Sequence, residues 1–293
     1  MSKKHPIIAV TGSSGVRRDR VRAIFSQCLR RGGWSAAYVD GDSFHRYDRA
    51  EMQKITALEE AKGNPYFSHF GLAANRLDEL ENLYRSYGET GTGQRRYYLH
   101  DDDEATEYAD SGLAPGQFTP WEPIPPGTDL LLYEGLHGWV KNKEINLQPH
   151  VDLKIGVVPV VNLEWIQKLH RDTERRGYSQ EEVVEAILRR MPDYMSTVMP
   201  QFRRSDVNFQ RVPVVDTSDP LIAREVPDED ETVLVVRFRK PEEFEVDFPC
   251  LLRRLTGSWM SRRNTMVVPG GKLELAIQHI LTPIIERLMR ARG

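Results

Sequence analysis

Ile7-Ile8-Ala9-Val10-Thr11-Gly12-Ser13-Ser14-Gly15-Val16-Arg17-Arg18-Asp19 decides the fold. It reads as a short buried strand, a Gly-rich turn, and a helix running to about Arg31. That order builds an anion site, because backbone N–H groups of the turn and of the helix's first turn converge on one point. The common phosphate-loop pattern is G-x-x-x-x-G-K-[ST]. Gly12 fills its first position, but Arg17, Arg18 and Asp19 stand at its last three. The phosphate-binding element is present with altered chemistry.

Working outward, the chain of 293 residues is long enough for a large core. Its 40% hydrophobic and 28% charged residues are ordinary globular composition. No run approaches the ~20 apolar residues of a membrane span, and Met1–Pro6 leads straight into the first strand, leaving no room for a signal peptide. Cys28 and Cys250 are too few for a disulfide framework or a Cys-rich zinc motif. The expected compartment is the cytoplasm, with no membrane partner. A net charge of −3 implies no bulk attraction to nucleic acid.

The first helix carries Ile24, Phe25 and Leu29 inward and ends at Gly32-Gly33. A second strand, Ala36–Val39, stops at Asp40-Gly41-Asp42. Carboxylates at such a strand end lie where open α/β sheets place their sites. The patterns predict helices over Asp48–Lys62 and Leu72–Tyr87. Gly88–His100 reads as a hairpin or anion-binding segment, and Gly112–Pro126 as a Pro-rich surface loop. Asp129–Gly135 is the clearest central strand and ends in Glu134. Further strands are expected at Asp152–Val158, Val212–Val215, Thr232–Phe238 and Thr265–Val268. Helices are expected at Val161–Arg176, Glu181–Met191 and Lys272–Met289. Alternating strands and helices predict an α/β fold around a largely parallel sheet.

Several blocks together resemble one family. They are Gly12-Ser13-Ser14-Gly15, Asp40-Gly41-Asp42-Ser43-Phe44-His45-Arg46, Tyr133-Glu134-Gly135-Leu136-His137-Gly138, Val161–Lys168, His170-Arg171-Asp172, Asn208–Pro213 and Gly257-Ser258-Trp259-Met260-Ser261. In order and spacing they are similar to the bacterial phosphoribulokinases. The resemblance spans nearly the whole chain and implies a single domain over residues 1–293, with a P-loop NTPase, adenylate-kinase-like, three-layer α/β/α fold. It implies transfer of the γ-phosphoryl group of ATP, with Mg²⁺, to O1 of D-ribulose 5-phosphate. It also implies a homo-oligomer, an octamer in the bacterial type, with NADH as allosteric activator.

Residue by residue, the resemblance makes Asp42 the general base and Glu134, with Asp42, the metal side. Lys168 and Arg171 become charge clamps, and Asp172 a second catalytic acid. His45, Arg49, Arg96, Tyr98, His100 and Arg176 fall at sugar-phosphate positions. Gly12, Ser13, Ser14, Gly15, Val16, Arg17, Arg18 and Asp19 form the nucleotide loop, and Arg31, Arg237 and Arg262 fall at allosteric positions. Read on their residues alone, many of these have blander roles. Asp42 beside Gly41 is a turn or capping aspartate, the basic positions of Val161–Arg176 a solvated helix face, and the other arginines surface charge. Only Glu134 favours a functional reading unaided, since a carboxylate ending so apolar a strand needs a partner.

Bacterial members usually carry Gly and Thr where Arg17 and Arg18 stand, followed by a hydroxyl residue where Asp19 stands. Asp19 suits a helix N-terminus by ~0.3–1 kcal/mol yet repels phosphate. Three readings remain open on the sequence: an active phosphoribulokinase-type kinase, an inactive paralogue that binds sugar phosphate or acts as a regulatory subunit, and a kinase for another sugar phosphate or a nucleoside, with His45, Arg49 and Arg96 speaking against a nucleoside acceptor.

Overall fold

The structure is a computed structural model that describes residues 4–12, 18–222 and 225–292. Ser13, Ser14, Gly15, Val16 and Arg17 lie outside the described residues, as do the side chains of residues 18–21 and of Arg175.

In chain order the elements begin with β1 (Ile7–Gly12), α1 (Arg18–Gly32), β2 (Ala36–Asp40), α2 (Arg49–Ala61) and α3 (Leu77–Thr90). Then come β3 (Gln94–Arg95), α4 (Asp102–Thr106), β4 (Glu122–Pro123), β5 (Leu130–Gly135), β6 (Leu153–Pro159), α5 (Val161–Arg176) and α6 (Gln180–Asp193). The chain closes with α7 (Met199–Phe202), β7 (Val207–Pro213), β8 (Thr232–Phe238), α8 (Phe248–Arg254), β9 (Trp259–Arg262), β10 (Thr265–Pro269) and α9 (Leu273–Arg290). One π turn, Tyr194–Val198, joins α6 to α7 just after Pro192. Proline removes a helical N–H, and the wider turn absorbs the offset.

Eight strands form one sheet among the described residues, in the order β2-β5-β1-β6-β7-β8-β10-β9. The pairings from β2 through β7 are parallel, and those of β8, β10 and β9 are antiparallel. This is the mixed, largely parallel sheet expected. β1 alternates strictly: Ile8 and Val10 pack with α1 and α9, while Ile7 and Ala9 pack with α3 on the other face. Strands buried on both sides need this all-apolar composition, and two helical layers on one sheet give three layers.

The predicted helix over Leu72–Tyr87 is split. Leu72–Ala74 makes a single 3₁₀ turn, and α3 starts only at Leu77. Between them Asn75 pairs with His45 in an isolated bridge. Arg46 N donates to the Ala74 carbonyl and Arg76 N to the Phe44 carbonyl, so tertiary pairing overrides helix propensity. The predicted strand Val212–Val215 lies earlier, at β7, and Val214 and Val215 are exposed. The Gly88–His100 segment does enter a ribbon, but β3 pairs with β4, inside the stretch read as a Pro-rich loop. β9 and α8 are too short for a periodic pattern to announce them.

The parallel strands end together, and the chain makes room there. A Cβ on Gly135 would sit 2.6 Å from the Tyr133 hydroxyl and 2.7 Å from the Gly41 Cα. These two glycines let the ends of β2 and β5 approach, carrying Asp42 and Glu134 with them. Gly135→Ala is therefore expected to destabilise the fold by about 1–3 kcal/mol through overpacking, read as a lowered urea midpoint with unchanged slope.

Candidate active site

Asp42 sits in the 3₁₀ turn Gly41–Phe44 that follows β2. The capping role belongs to Asp40, whose side chain accepts from Asp42 N at 2.9 Å, so the Asp42 carboxylate is left for other work. It is only 6% exposed. His45 Nε2 lies 3.3 Å from Oδ1 and His100 Nε2 lies 3.2 Å from Oδ2. Tyr98 packs edge-on against both rings. Arg49 donates from Nη2 to the His100 carbonyl at 2.7 Å. Asp42, His45, Arg49, Tyr98 and His100 thus form one cluster.

Arg96 adjoins that cluster as its buckle. Its Nε donates to the Ser43 carbonyl and its Nη2 to the His45 carbonyl, each at 2.8 Å. Ser43 Oγ donates back to the Arg96 carbonyl at 2.5 Å. The guanidinium lies over the rings of Phe118 and Trp121, a stacking for which Arg is suited. Burial pushes it down to about 10. In this arrangement Arg96 fixes the turn that carries Asp42.

Two further histidines back the cluster and were not foreseen. The His69 ring lies 4.4 Å from that of His45. His137 Nε2 donates to the Phe70 carbonyl at 3.0 Å. Burial pushes His69 down to about 3 and His137 to about 4, so both are neutral and add no charge beside Asp42. The block Glu134–Gly138 contained His137, but nothing in its spacing separates a packed imidazole from a ligand.

Glu134 ends β5. Tyr38 Oη donates to its Oε2 at 3.0 Å, and the Tyr38 phenol is pushed well up by burial and by this carboxylate. Across β1, Thr11 Oγ1 accepts from Gly138 N at 3.1 Å. No group of three His, Cys, Asp or Glu among the described residues could enclose a metal alone. That suits Mg²⁺, which is held by one or two carboxylates and completed by phosphate oxygens and water. β1 ends at Gly12 and α1 begins at Arg18, so a strand end and a helix N-terminus bracket the segment expected to hold phosphate. Asp19 falls in the first turn of α1.

Among the basic positions of α5, Arg176 is exposed but Lys168 is not. Lys168 and Asp172 are buried and paired. Asp172 Oδ1 also accepts from Arg171 Nε at 2.9 Å and Arg176 Nη1 at 3.3 Å. One carboxylate gathers three cations. Its pKa is held down by Arg171 and Lys168 against the cost of burial. Burial pushes Lys168 down to about 8, and Asp172 limits the fall. Arg190 of α6 was also not foreseen. It lies over the Phe70 ring, and burial pushes its pKa down against the pull of Asp172 and Asp42. As one of two arginines near a helix end, it carried no sequence signal.

Arg31, Arg237 and Arg262 do not converge within the chain. Arg31 lies in the last turn of α1. Arg237 Nη2 donates to the Phe202 carbonyl at 2.6 Å and to Ser205 Oγ at 3.1 Å, on the sheet face opposite α1 and α9. Arg262 lies on edge strand β9, two strands from Arg237, both opposite Thr265.

A strand–helix junction next to a strand that ends in an acid, with a buried lysine paired to an aspartate on a later helix, fits the layout of a P-loop kinase. Residues 7–218 match the model of the phosphoribulokinase/uridine kinase family, and the chain belongs to that family. Phosphoribulokinase of Nitrobacter vulgaris is 54% identical over 292 residues, covering 100% of this chain and 99% of its own length. Phosphoribulokinase 1 of Cereibacter sphaeroides is 55% identical over 290 residues, covering 99% and 98%. The solved phosphoribulokinase from Rhodobacter spheroides superposes with a TM-score of 0.89 at 52% identity, covering 99% of each chain.

Lys168 yields a pH signature. Its charge is lost as pH rises through about 8, and a neutral amine no longer offsets phosphate charge. The alkaline limb of kcat/KM, which reports the free enzyme, is expected near that value. Lys168→Arg, whose guanidinium stays protonated, is expected to move the limb upward by at least about one unit. Initial rates across the alkaline range check both.

Proposed function

We propose that this chain is a phosphoribulokinase, converting ATP and D-ribulose 5-phosphate to ADP and D-ribulose 1,5-bisphosphate. The observation that carries this reading is the Asp42 cluster: a buried carboxylate with one histidine Nε2 on each oxygen. A sugar hydroxyl is a poor nucleophile, and Asp42 takes its proton as the phosphoryl group arrives. His45, Arg49, Tyr98, His100 and Arg176 recognise the sugar phosphate. Arg96 serves it by holding the turn of Asp42.

Lys168 and Arg171 neutralise charge on the transferring group. Asp172 keeps both cations gathered until phosphate competes for them. Glu134 and Asp42 would hold Mg²⁺, which would supply positive charge beside the phosphates. Residues 12–19 hold the nucleotide phosphates. Among the described residues no helix is long and apolar enough to cross a membrane, and the reading places the enzyme in the cytoplasm as a homo-oligomer, an octamer by family resemblance. NADH would act as allosteric activator through Arg31, Arg237 and Arg262, of which Arg237 and Arg262 flank Thr265 on the sheet.

Arg17-Arg18-Asp19 favours a second reading, an inactive regulatory paralogue, because Asp19 adds negative charge in the first turn of α1. ADP release with Mg·ATP and ribulose 5-phosphate separates the two. Turnover is expected from the native chain, and Asp42→Asn is expected to lower kcat by ~10²–10⁴ with KM for ATP unchanged. Turnover only after combined Arg17→Gly, Arg18→Thr and Asp19→Ser would establish the second reading.

A further inference from the structure

Asn75 is buried, and its side chain makes three hydrogen bonds. Nδ2 donates to the His69 carbonyl at 2.9 Å and to the Gly71 carbonyl at 2.7 Å. Oδ1 lies 2.9 Å from His45 Nδ1. Two carbonyl acceptors fix the amide the right way round, because only the NH₂ end donates. Oδ1 is then an acceptor, and the His45 nitrogen facing it must carry a proton. The ring is held with Nδ1–H toward Asn75 and Nε2 toward Asp42 Oδ1.

We propose that Asn75 is a positioning residue for the acceptor half of the reaction: it holds the orientation and tautomer of His45, and so decides which imidazole nitrogen meets Asp42 and the sugar phosphate. The backbone supports the same constraint. His45 and Asn75 form an antiparallel bridge, so the two side chains leave adjoining strands at fixed separation. The carbonyls that Asn75 engages lie in a turn anchored from the other side. Ser68 Oγ donates to Asp193 Oδ2 at 2.7 Å, and Arg190 lies over Phe70. His45 is thereby connected, through Asn75 and residues 68–71, to the helix that also carries Arg190. Released from Asn75, the imidazole can flip about χ2 and present Nδ1 or a carbon to Asp42.

The kinetic half of the test rests on the proposed phosphoribulokinase activity; the spectroscopic half does not. In the unmutated protein labelled with ¹⁵N-histidine, the His45 signal is assigned by its loss in His45→Gln. Long-range ¹H–¹⁵N correlations are expected to show a proton on Nδ1 throughout the stable pH range. A neutral Nε2–H tautomer overturns the inference, whatever the variants do. For Asn75→Leu, kcat/KM for ribulose 5-phosphate is expected to fall by roughly 10- to 100-fold, the scale of a misaligned reacting group, with KM for ATP unchanged. In a His45→Ala background the same substitution is expected to change kcat/KM by less than about twofold, since a residue that acts through another has nothing left to act on. Full additivity of the two substitutions, or equal losses toward both substrates, overturns the positioning role. A chain that turns over no ribulose 5-phosphate overturns the proposed function alone, and the tautomer spectrum still decides this inference.

Discussion

A carboxylate withdrawn from water is costly unless partners surround it, and Asp42 is withdrawn almost completely. The acceptor side of the site answers to that constraint. Asp40 takes the capping bond so that Asp42 need not. Gly41 and Gly135 let the turn settle against the end of β5. Arg96 ties down two carbonyls of the same turn, and two imidazoles face the two oxygens. The result is a carboxylate that is dry and firmly held, as the base proposed for the reaction needs to be.

The donor side solves the complementary problem. Three cations on one helix would repel one another and drift into solvent. Asp172 collects Lys168, Arg171 and Arg176 at a single point. In the proposed role a phosphate would offer the same cations a partner of the same kind with more charge. Arg190 is within electrostatic reach of both Asp172 and Asp42.

Much of the scaffold was legible because burial writes directly into composition. β1, β5 and β6 are apolar runs that only a two-sided sheet interior explains, and α5 was readable to its last residue from spacing and from the glycine that follows. The resemblance located Asp42, Glu134 and the α5 cations. What it could not reveal were residues acting through the backbone of distant segments. Asn75 looked like part of a helix because its neighbours are good helix formers; its bonds to His69, Gly71 and His45 exist only once the chain has folded. The resemblance put Arg96 at a sugar-phosphate position; that its guanidinium also bonds the carbonyls of Ser43 and His45 could not be read from the sequence. Lys168 looked exposed because sequence spacing cannot tell which side of a helix faces a cleft.

The Arg96 buckle also bears on the order in which the molecule assembles. The bonds between Ser43 and Arg96 join residues 53 positions apart, and the contact between His45 and Asn75 closes a loop of 30. Each closure carries an entropic cost that is recovered only when the contact is complete, and contacts distant along the chain form slowly. The main sheet closes longer loops still, since Ile7 of β1 pairs with Leu131 of β5. The acceptor turn can then be fastened before that sheet is finished, and catalytic competence waits on the strands that carry Asp42 to Glu134.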